Sequence, residues 1–321
     1  MSVHADQNIL SYSLPDGALC QQLIGFNDEI IDAVLLSPPE SPDQVALATN
    51  SSLIRIYSIK SFDARLLAGH RDTVLSLAAN LSGRMLASGA KDNSARLWAP
   101  QNSELTWACV ATCEGHAESV GAVVFERDDV PRFLFTGSQD RTIKVWDLSS
   151  VPAEVGATSV PVRCKSVSTT RAHEKDINAL DSSPGGALLV SGSQDKTAKV
   201  WAVDRSKGML KLLGTCKGHK RGVWSVRFAR GTRTLATGSG DRTVRLWRLD
   251  DFSCLKVFEG HANSVLRVDW LGGDTEGHGR VVSAAADGLV KVWDSRTDEC
   301  VATLDGHEDK ASEPRSFFVT Y

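Results

Sequence analysis

The stretch ATGSGDRTVRLW, Ala236 to Trp247, carries a hydroxyl at Thr237 and a carboxylate at Asp241, and His219 lies upstream of both. Hydroxyl, imidazole and carboxylate are the groups that nucleophilic catalysis assembles, the imidazole activating the hydroxyl and the acid orienting the imidazole. The inventory alone does not establish an active site, because the same groups also satisfy one another inside a fold.

The chain repeats this inventory. Equivalent stretches are LASGAKDNSARLW (Leu86 to Trp98), FTGSQDRTIKVW (Phe135 to Trp146), VSGSQDKTAKVW (Val190 to Trp201) and VSAAADGLVKVW (Val282 to Trp293). Each is preceded by a small residue and a histidine: Gly69-His70, Gly115-His116, Ala172-His173, Gly218-His219 and Gly260-His261. A sixth pair, Gly306-His307, opens a repeat that is not completed. Histidine and tryptophan are separated by 28, 30, 28, 28 and 32 residues, and histidines recur every 42 to 57. That is the period of a four-stranded propeller blade. Within one repeat, SVRF (Ser225 to Phe228), TLAT (Thr234 to Thr237) and TVRLW (Thr243 to Trp247) are short and rich in apolar and β-branched residues, which predicts strands. The GSGD, GSQD and AADG segments between them carry the residues of tight hairpins.

These motifs resemble the WD-repeat family of β-propellers over Gly69 to Asp294. The resemblance implies one buried hydrogen-bonded tetrad per blade. By motif match the tetrads are His70, Ser88, Asp92, Trp98; His116, Thr136, Asp140, Trp146; His173, Ser191, Asp195, Trp201; His219, Thr237, Asp241, Trp247; and His261, Ser283, Asp287, Trp293. Five copies of one catalytic triad in a chain would make no sense, whereas five internal fasteners would, since each group supplies the partner another needs when buried. The expected fold is therefore all-β, a WD-repeat propeller of about six to seven blades.

The blades fall near 25–68, 69–114, 115–171, 172–217, 218–259 and 260–305. The first is degenerate, with Phe26 where histidine is expected, Tyr57 in place of tryptophan and no tetrad carboxylate. Residues 1–24 read as strands of an incomplete blade, and 311–321 as a divergent tail. The ring would close if Phe317 to Tyr321 paired with strands from Asn8 to Leu14, making a three-stranded seventh blade; otherwise its sheet edges stay open. Ser149 to Thr170 is an insertion rich in Ser, Val, Pro and Thr, with Val160 to Cys164 its candidate strand.

Composition narrows the function. A net charge of −3 argues against a domain whose affinity comes mainly from neutralising phosphates. The seven cysteines form no CxxC pair, so neither a zinc site nor a disulfide framework is expected, and the reading is of a reducing compartment. No basic start with an apolar run and no bilayer-length apolar stretch occurs, so no membrane association is expected. HExxH, GxSxG and phosphate-loop motifs are absent from the sequence, and His4 and His278 stand alone outside the array, so the expectation is of no enzyme, no cofactor and no small-molecule substrate.

Beyond the generic repeat, RAHEKDINAL, SGSQDKTAKVWA, GHKRGVWSVRF, DFSCLKVFEGHANSVLRV and DGLVKVWDSRTDECVATLDGHEDK are similar to one branch of the family, the propeller subunits of the nucleolar small-subunit processome. That resemblance implies a structural role in pre-ribosomal RNA processing, other processome proteins as partners, weak or indirect RNA contact, and a nuclear, nucleolar location. Members of the branch carry two tandem propellers and a helical C-terminal domain, where this sequence has about one propeller. A rival resemblance lies in VVSAAADGLVKVWDSR (Val281 to Arg296), which matches the WDxR box of cullin-linked ubiquitin-ligase substrate receptors through Asp287, Trp293, Asp294 and Arg296.

The candidate interaction face is basic. Lys91, Arg141, Lys196 and Arg242 sit beside turn aspartates, and Lys220 and Arg221 follow a Gly-His pair. Arg71 and Lys175 are expected to join them, diluted by Asp72, Glu118 and Asp176. Arg96, Lys144, Lys199, Arg245 and Lys291, two places before each tryptophan, are expected on the solvated side of a strand. Trp107, Trp224 and Trp270 are expected to be core.

Overall fold

The computed structural model describes residues 2–3, 8–12, 19–24, 29–36, 44–58, 64–101, 106–128, 130–152, 160–271, 279–305 and 316–317; for 2–3, 8–12, 19–24 and 316–317 it gives backbone pairing alone. Phe26, His4, His278 and His307 lie outside these residues. Every described element is a strand.

The first three strands are β1 (Ser2–Val3), β2 (Asn8–Tyr12) and β3 (Leu19–Ile24). The degenerate first repeat gives β4 (Ile30–Leu36), β5 (Gln44–Thr49), β6 (Ile54–Ser58) and β7 (Ala64–Leu67). Next come β8 (Val74–Ala79), β9 (Leu86–Ala90), β10 (Ser94–Gln101) and β11 (Thr106–Glu114), then β12 (Val120–Phe125), β13 (Phe133–Ser138) and β14 (Thr142–Asp147). The insertion contributes β15 (Val162–Arg163) before β16 (Lys165–Arg171). The chain continues through β17 (Ile177–Ser182), β18 (Leu188–Ser193), β19 (Thr197–Asp204) and β20 (Met209–Lys217). Last are β21 (Val223–Phe228), β22 (Thr234–Ser239), β23 (Thr243–Arg248), β24 (Cys254–Glu259), β25 (Val265–Leu271), β26 (Arg280–Ala285), β27 (Val290–Asp294), β28 (Cys300–Leu304) and β29 (Ser316–Phe317).

These strands make sheets in the orders β4-β5-β6-β7, β15-β11-β10-β9-β8, β12-β13-β14-β16, β17-β18-β19-β20, β21-β22-β23-β24 and β25-β26-β27-β28. A further sheet, β29-β1-β2-β3, joins the two ends of the described chain. Its pairing differs from the sequence expectation. β29 lies antiparallel to β1, with Ser2 opposite Phe317, rather than beside Asn8–Tyr12, because β2 is already flanked by β1 and β3. The fold is all-β, a propeller of repeated sheets.

The chain divides into two compact units, residues 31–189 with 201–211, and residues 1–30 with 190–200 and 212–321. In the first, the apolar cores lie between successive sheets. Trp98 and Leu86 pack with Leu36, Ala46 and Ile54 of the sheet before, and Trp146 packs with Leu97, Ala99 and Val110. In the second, Trp293 and Trp270 pack with Leu246, Val244 and Phe258. Trp98, Trp146 and Trp293 thus face the preceding sheet.

Four of the second strands, β9, β13, β18 and β22, carry on the opposite face a glycine where the next sheet comes closest. A Cβ on Gly89 would stand 2.8 Å from Val120 Cγ1 and 2.9 Å from its carbonyl oxygen; one on Gly137 would stand 2.6 Å from Ile177 Cγ2. In the other unit Gly238 meets Val265 and Val268 at 2.8 and 2.9 Å. Side chains of the first strands also bond across sheets. Asp32 Oδ2 accepts the Leu77 N–H at 2.8 Å and Ser76 Oγ accepts the Val123 N–H at 3.3 Å. In the second unit Ser225 Oγ accepts the Val268 N–H at 3.1 Å. Neighbouring sheets are thereby packed and hydrogen-bonded at once.

The insertion behaves in a way composition could not show. Its strand β15 lies within the expected Val160 to Cys164, but it pairs in parallel with β11 of the preceding sheet, Ala111 opposite Val162 and Thr112 opposite Arg163. The Cys164 N–H extends the ladder to the Thr112 carbonyl at 2.9 Å. Cys113 and Cys164, next along each strand, are both buried in one apolar cluster.

Candidate functional site: buried relays and the turns that hold them

In the five repeats that carry the tetrad residues, the second and third strands meet at a turn that holds an aspartate. Asp140 Oδ1 accepts the Thr142 N–H at 2.9 Å and its hydroxyl at 2.6 Å, while Oδ2 accepts the Ala117 N–H at 3.0 Å. Asp92 and Asp241 do the same, the latter fixing the Lys220 N–H at 2.8 Å and Thr243 Oγ1 at 2.7 Å. The Gly-His loop is thus tied to the turn, which places the histidine.

Four sets show the same relay. His116 Nδ1 lies 2.8 Å from Asp140 and its Nε2 lies 2.7 Å from Thr136 Oγ1, to which the Trp146 indole donates at 2.9 Å. His70, Ser88, Asp92 and Trp98 repeat it at 2.9, 2.7 and 2.8 Å. His219, Thr237, Asp241 and Trp247 do so at 2.9, 2.7 and 2.8 Å, and His261, Ser283, Asp287 and Trp293 at 2.9, 2.7 and 2.7 Å. In the remaining set His173, Ser191 and Trp201 are buried, and Asp195 Oδ1 accepts the Thr197 N–H and hydroxyl.

Donor logic fixes the protons. An ionised carboxylate only accepts, so Nδ1 carries the hydrogen and Nε2 accepts from the Ser or Thr hydroxyl. Burial pushes His116 and His219 below the ordinary histidine value, against the pull of Asp140 and Asp241, which keeps both rings neutral. Burial by itself would raise the acids. Hydrogen bonds from Thr142 and His116 outweigh it and hold Asp140 down to about 2, and those from His219 and Thr243 hold Asp241 lower still.

Asp-His-hydroxyl order is also that of a catalytic triad, but here the hydroxyl is fully enclosed. Ser88, Thr136, Thr237 and Ser283 expose none of their surface, and each has already accepted an indole N–H. No substrate atom could approach the oxygens. Among the described residues no cluster of three His, Cys, Asp or Glu groups could hold a metal ion.

The degenerate first repeat reveals a substitute that the sequence pattern missed. Ser51 stands six places before Tyr57, at the aspartate position, and its Oγ accepts the Leu53 N–H at 3.2 Å, the bond that Asp92 makes to Ser94 elsewhere. A short hydroxyl in a turn is the signal that could have found it.

The basic residues separate on inspection. Arg141, Lys196 and Arg242 follow the turn aspartate with left-handed backbones, φ 70°, 73° and 71°, where Asn93 and Gly288 stand in other repeats. Lys91 precedes its aspartate and belongs to a different position of the turn. Lys91 and Arg141 lie in the first unit; Lys196, Lys220, Arg221 and Arg242 lie in the second, all exposed. The strand-three cations are not simply solvated: Arg245 Nη1 would meet a Cβ on Gly218 at 2.9 Å beside Trp247, and Arg96 and Arg245 are half-buried. Close approach there, with φ near +150° at Gly115, Gly218 and Gly260, accounts for the glycine of the Gly-His signature. Trp107 and Trp270 are buried, donating to Gln44 and to the Arg227 carbonyl, whereas Trp224 is 36% exposed. In the WDxR-like segment, Asp287 and Trp293 are used by the relay and Asp294 accepts the Arg296 N–H at 2.7 Å.

Repeated sheets of four or five strands, four of them fastened by a relay of tryptophan, hydroxyl, histidine and aspartate, define a repeat-built β-propeller. The chain belongs to the WD-repeat family: the family described as "WD domain, G-beta repeat" matches residues 62–99, 107–147, 164–202, 210–248 and 252–294, more than half of the chain. The chain is 41% identical over 205 residues to transducin beta-like protein 3 of Mus musculus, across 63% of this chain and 25% of that protein. The Bos taurus protein of the same name is 42% identical over 207 residues, across 64% and 25%. U3 small nucleolar RNA-associated protein 13 of Saccharomyces cerevisiae is 37% identical over 196 residues, across 57% and 24%. The match spans about a quarter of the length of these relatives.

Proposed function

We propose that the chain is a non-catalytic interaction scaffold of the nucleolar small-subunit processome, acting in pre-ribosomal RNA processing in the nucleus. The observation that carries this reading is the 41% and 37% identity to transducin beta-like protein 3 and to a U3 small nucleolar RNA-associated protein. The enclosed relays support the non-catalytic part, since the hydroxyl, imidazole and acid in each are spent on one another. What remains for other molecules is the surface. Its partners are other processome proteins, with RNA contacted weakly or indirectly, through Lys91 and Arg141 on one unit and Lys196, Lys220, Arg221 and Arg242 on the other. The role calls for no cofactor, membrane or small-molecule substrate.

Immunoprecipitation of the endogenous protein, followed by RNA sequencing and mass spectrometry, tests the reading. Enrichment of U3 small nucleolar RNA and processome proteins is expected. Recovery of a cullin adaptor without them would overturn it in favour of a ligase receptor.

A further inference from the structure

Among the residues whose side-chain burial is described, Trp224 is the exposed aromatic. It stands at a bulge in β21, where the pairing with β22 shifts between Val223 and Ser225. A bulge re-aims the side chain it carries. Here the indole rests over the β22–β23 turn: a Cβ on Gly240 would stand 3.1 Å from Trp224 Nε1, 3.4 Å from Arg221 Cβ and 3.7 Å from Ser264 Oγ. Gly240 occupies the position held by Gln139 and Gln194 in other turns, so the missing side chain is what admits the indole.

The surroundings are cationic. The Lys220 N–H is bonded to Asp241 at the same turn, the Gly240 N–H donates to the Gly222 carbonyl at 3.0 Å, and Arg242 follows directly. A Cβ on Gly222 would stand 3.2 Å from Gln194 Cα, which brings the neighbouring turn with Lys196 alongside. Lys196, Lys220, Arg221 and Arg242 form no ion pair with any described residue, although the chain carries a net charge of −3. Lys196 and Arg242 also hold the left-handed backbone that glycine adopts without cost. Four unneutralised cations, two of them at strained positions, surround an exposed aromatic.

We propose that Trp224, Lys196, Lys220, Arg221 and Arg242 form a docking surface for an acidic peptide segment of a protein partner. The indole supplies the apolar anchor and an N–H donor, and the cations meet carboxylates at the rim. A nucleic acid fits less well. Single strands are tracked by successive stacking aromatics, of which this surface has one. The inference rests on the interaction face of the proposed function and names the chemistry of its partner; peptide binding by the isolated chain and recovery of U3 small nucleolar RNA with processome proteins are separate readouts, so the failure of one is distinguished from the failure of the other.

The test measures binding of the full chain to a fluorescent peptide alternating Glu with Gly around one central Leu, to its Lys-for-Glu counterpart and to oligouridylate. Saturable, salt-sensitive binding of the acidic peptide alone is expected, weakened at least about tenfold by Trp224→Ala or Arg221→Glu. Gly240→Gln keeps the turn chemistry of its neighbours while filling the space beneath the indole, so it should weaken binding with thermal stability unchanged. Three results would each overturn the proposal: no saturable binding of the acidic peptide, affinity indifferent to Trp224→Ala and Gly240→Gln, or tighter Trp224-dependent binding of oligouridylate, which would reassign the surface to RNA.

Discussion

The Trp247 indole donates to Thr237 Oγ1 at 2.8 Å, the same oxygen that His219 Nε2 approaches at 2.7 Å. One hydroxyl therefore completes two buried groups. Replacing Thr237 with Val removes the acceptor and the donor together, at about 1–3 kcal/mol for each group left unpaired. Urea denaturation should show that loss, while Thr237→Ser, which keeps the oxygen and matches the Ser88 and Ser283 relays, should cost about 1 kcal/mol.

Acid should act in two stages. His116 and His219 have folded values below the ordinary 6.5, so above that pH both folded and unfolded states are neutral and stability is full. As pH falls below 6.5 the unfolded chain takes up protons first and stability declines. Asp92, Asp140, Asp241 and Asp287 are likewise depressed from 3.8, so a second loss begins near that pH and continues through the folded value, about 2 for Asp140. Thermal melts between pH 7 and 3 should fall monotonically; a rise below pH 6 would contradict the neutral relay.

Gly89→Ala should be costly although alanine is the smallest change available. Its Cβ would press on the Val120 carbonyl at 2.9 Å, and backbone cannot swing aside as a side-chain end can. A loss of about 1–3 kcal/mol is expected from overpacking. Gly231→Ala provides a contrast, having open space around it, so any loss there measures only the left-handed φ of 79°.

Cys113 and Cys164 should oxidise to each other. They follow the paired residues Thr112 and Arg163 on neighbouring parallel strands and lie in one buried apolar cluster, where their mutual interaction raises Cys113 and lowers Cys164. Diamide would take the two thiol hydrogens and two electrons, leaving one S–S bond. Non-reducing peptide mapping should recover the Cys113–Cys164 link, absent in Cys113→Ser. The cross-link would raise stability by up to about 4 kcal/mol through loop closure.

The repeated fasteners were readable because a period of forty-odd residues exposes any group that recurs, and hairpin turns leave a Gly, Asp and Ser signature. Ser51 was not, since it carries out the aspartate's turn bond with a different group. The second-strand glycines were visible, but their cause lies in the approach of Val120 or Ile177 from the next sheet, which sequence distance conceals. Trp224 looked like core by residue type; only the absent side chain at Gly240, sixteen positions away, turns it outward. The partner of β15 was unreadable for the same reason, because a two-residue strand has no periodicity of its own.

That strand changes how the insertion should be valued. By pairing at Ala111 and Thr112 it covers part of the outer edge of β11, whose backbone donors and acceptors would otherwise be free to recruit an extended segment from another molecule. Excising Val162 to Cys164 would therefore expose that stretch of edge to chain-to-chain pairing.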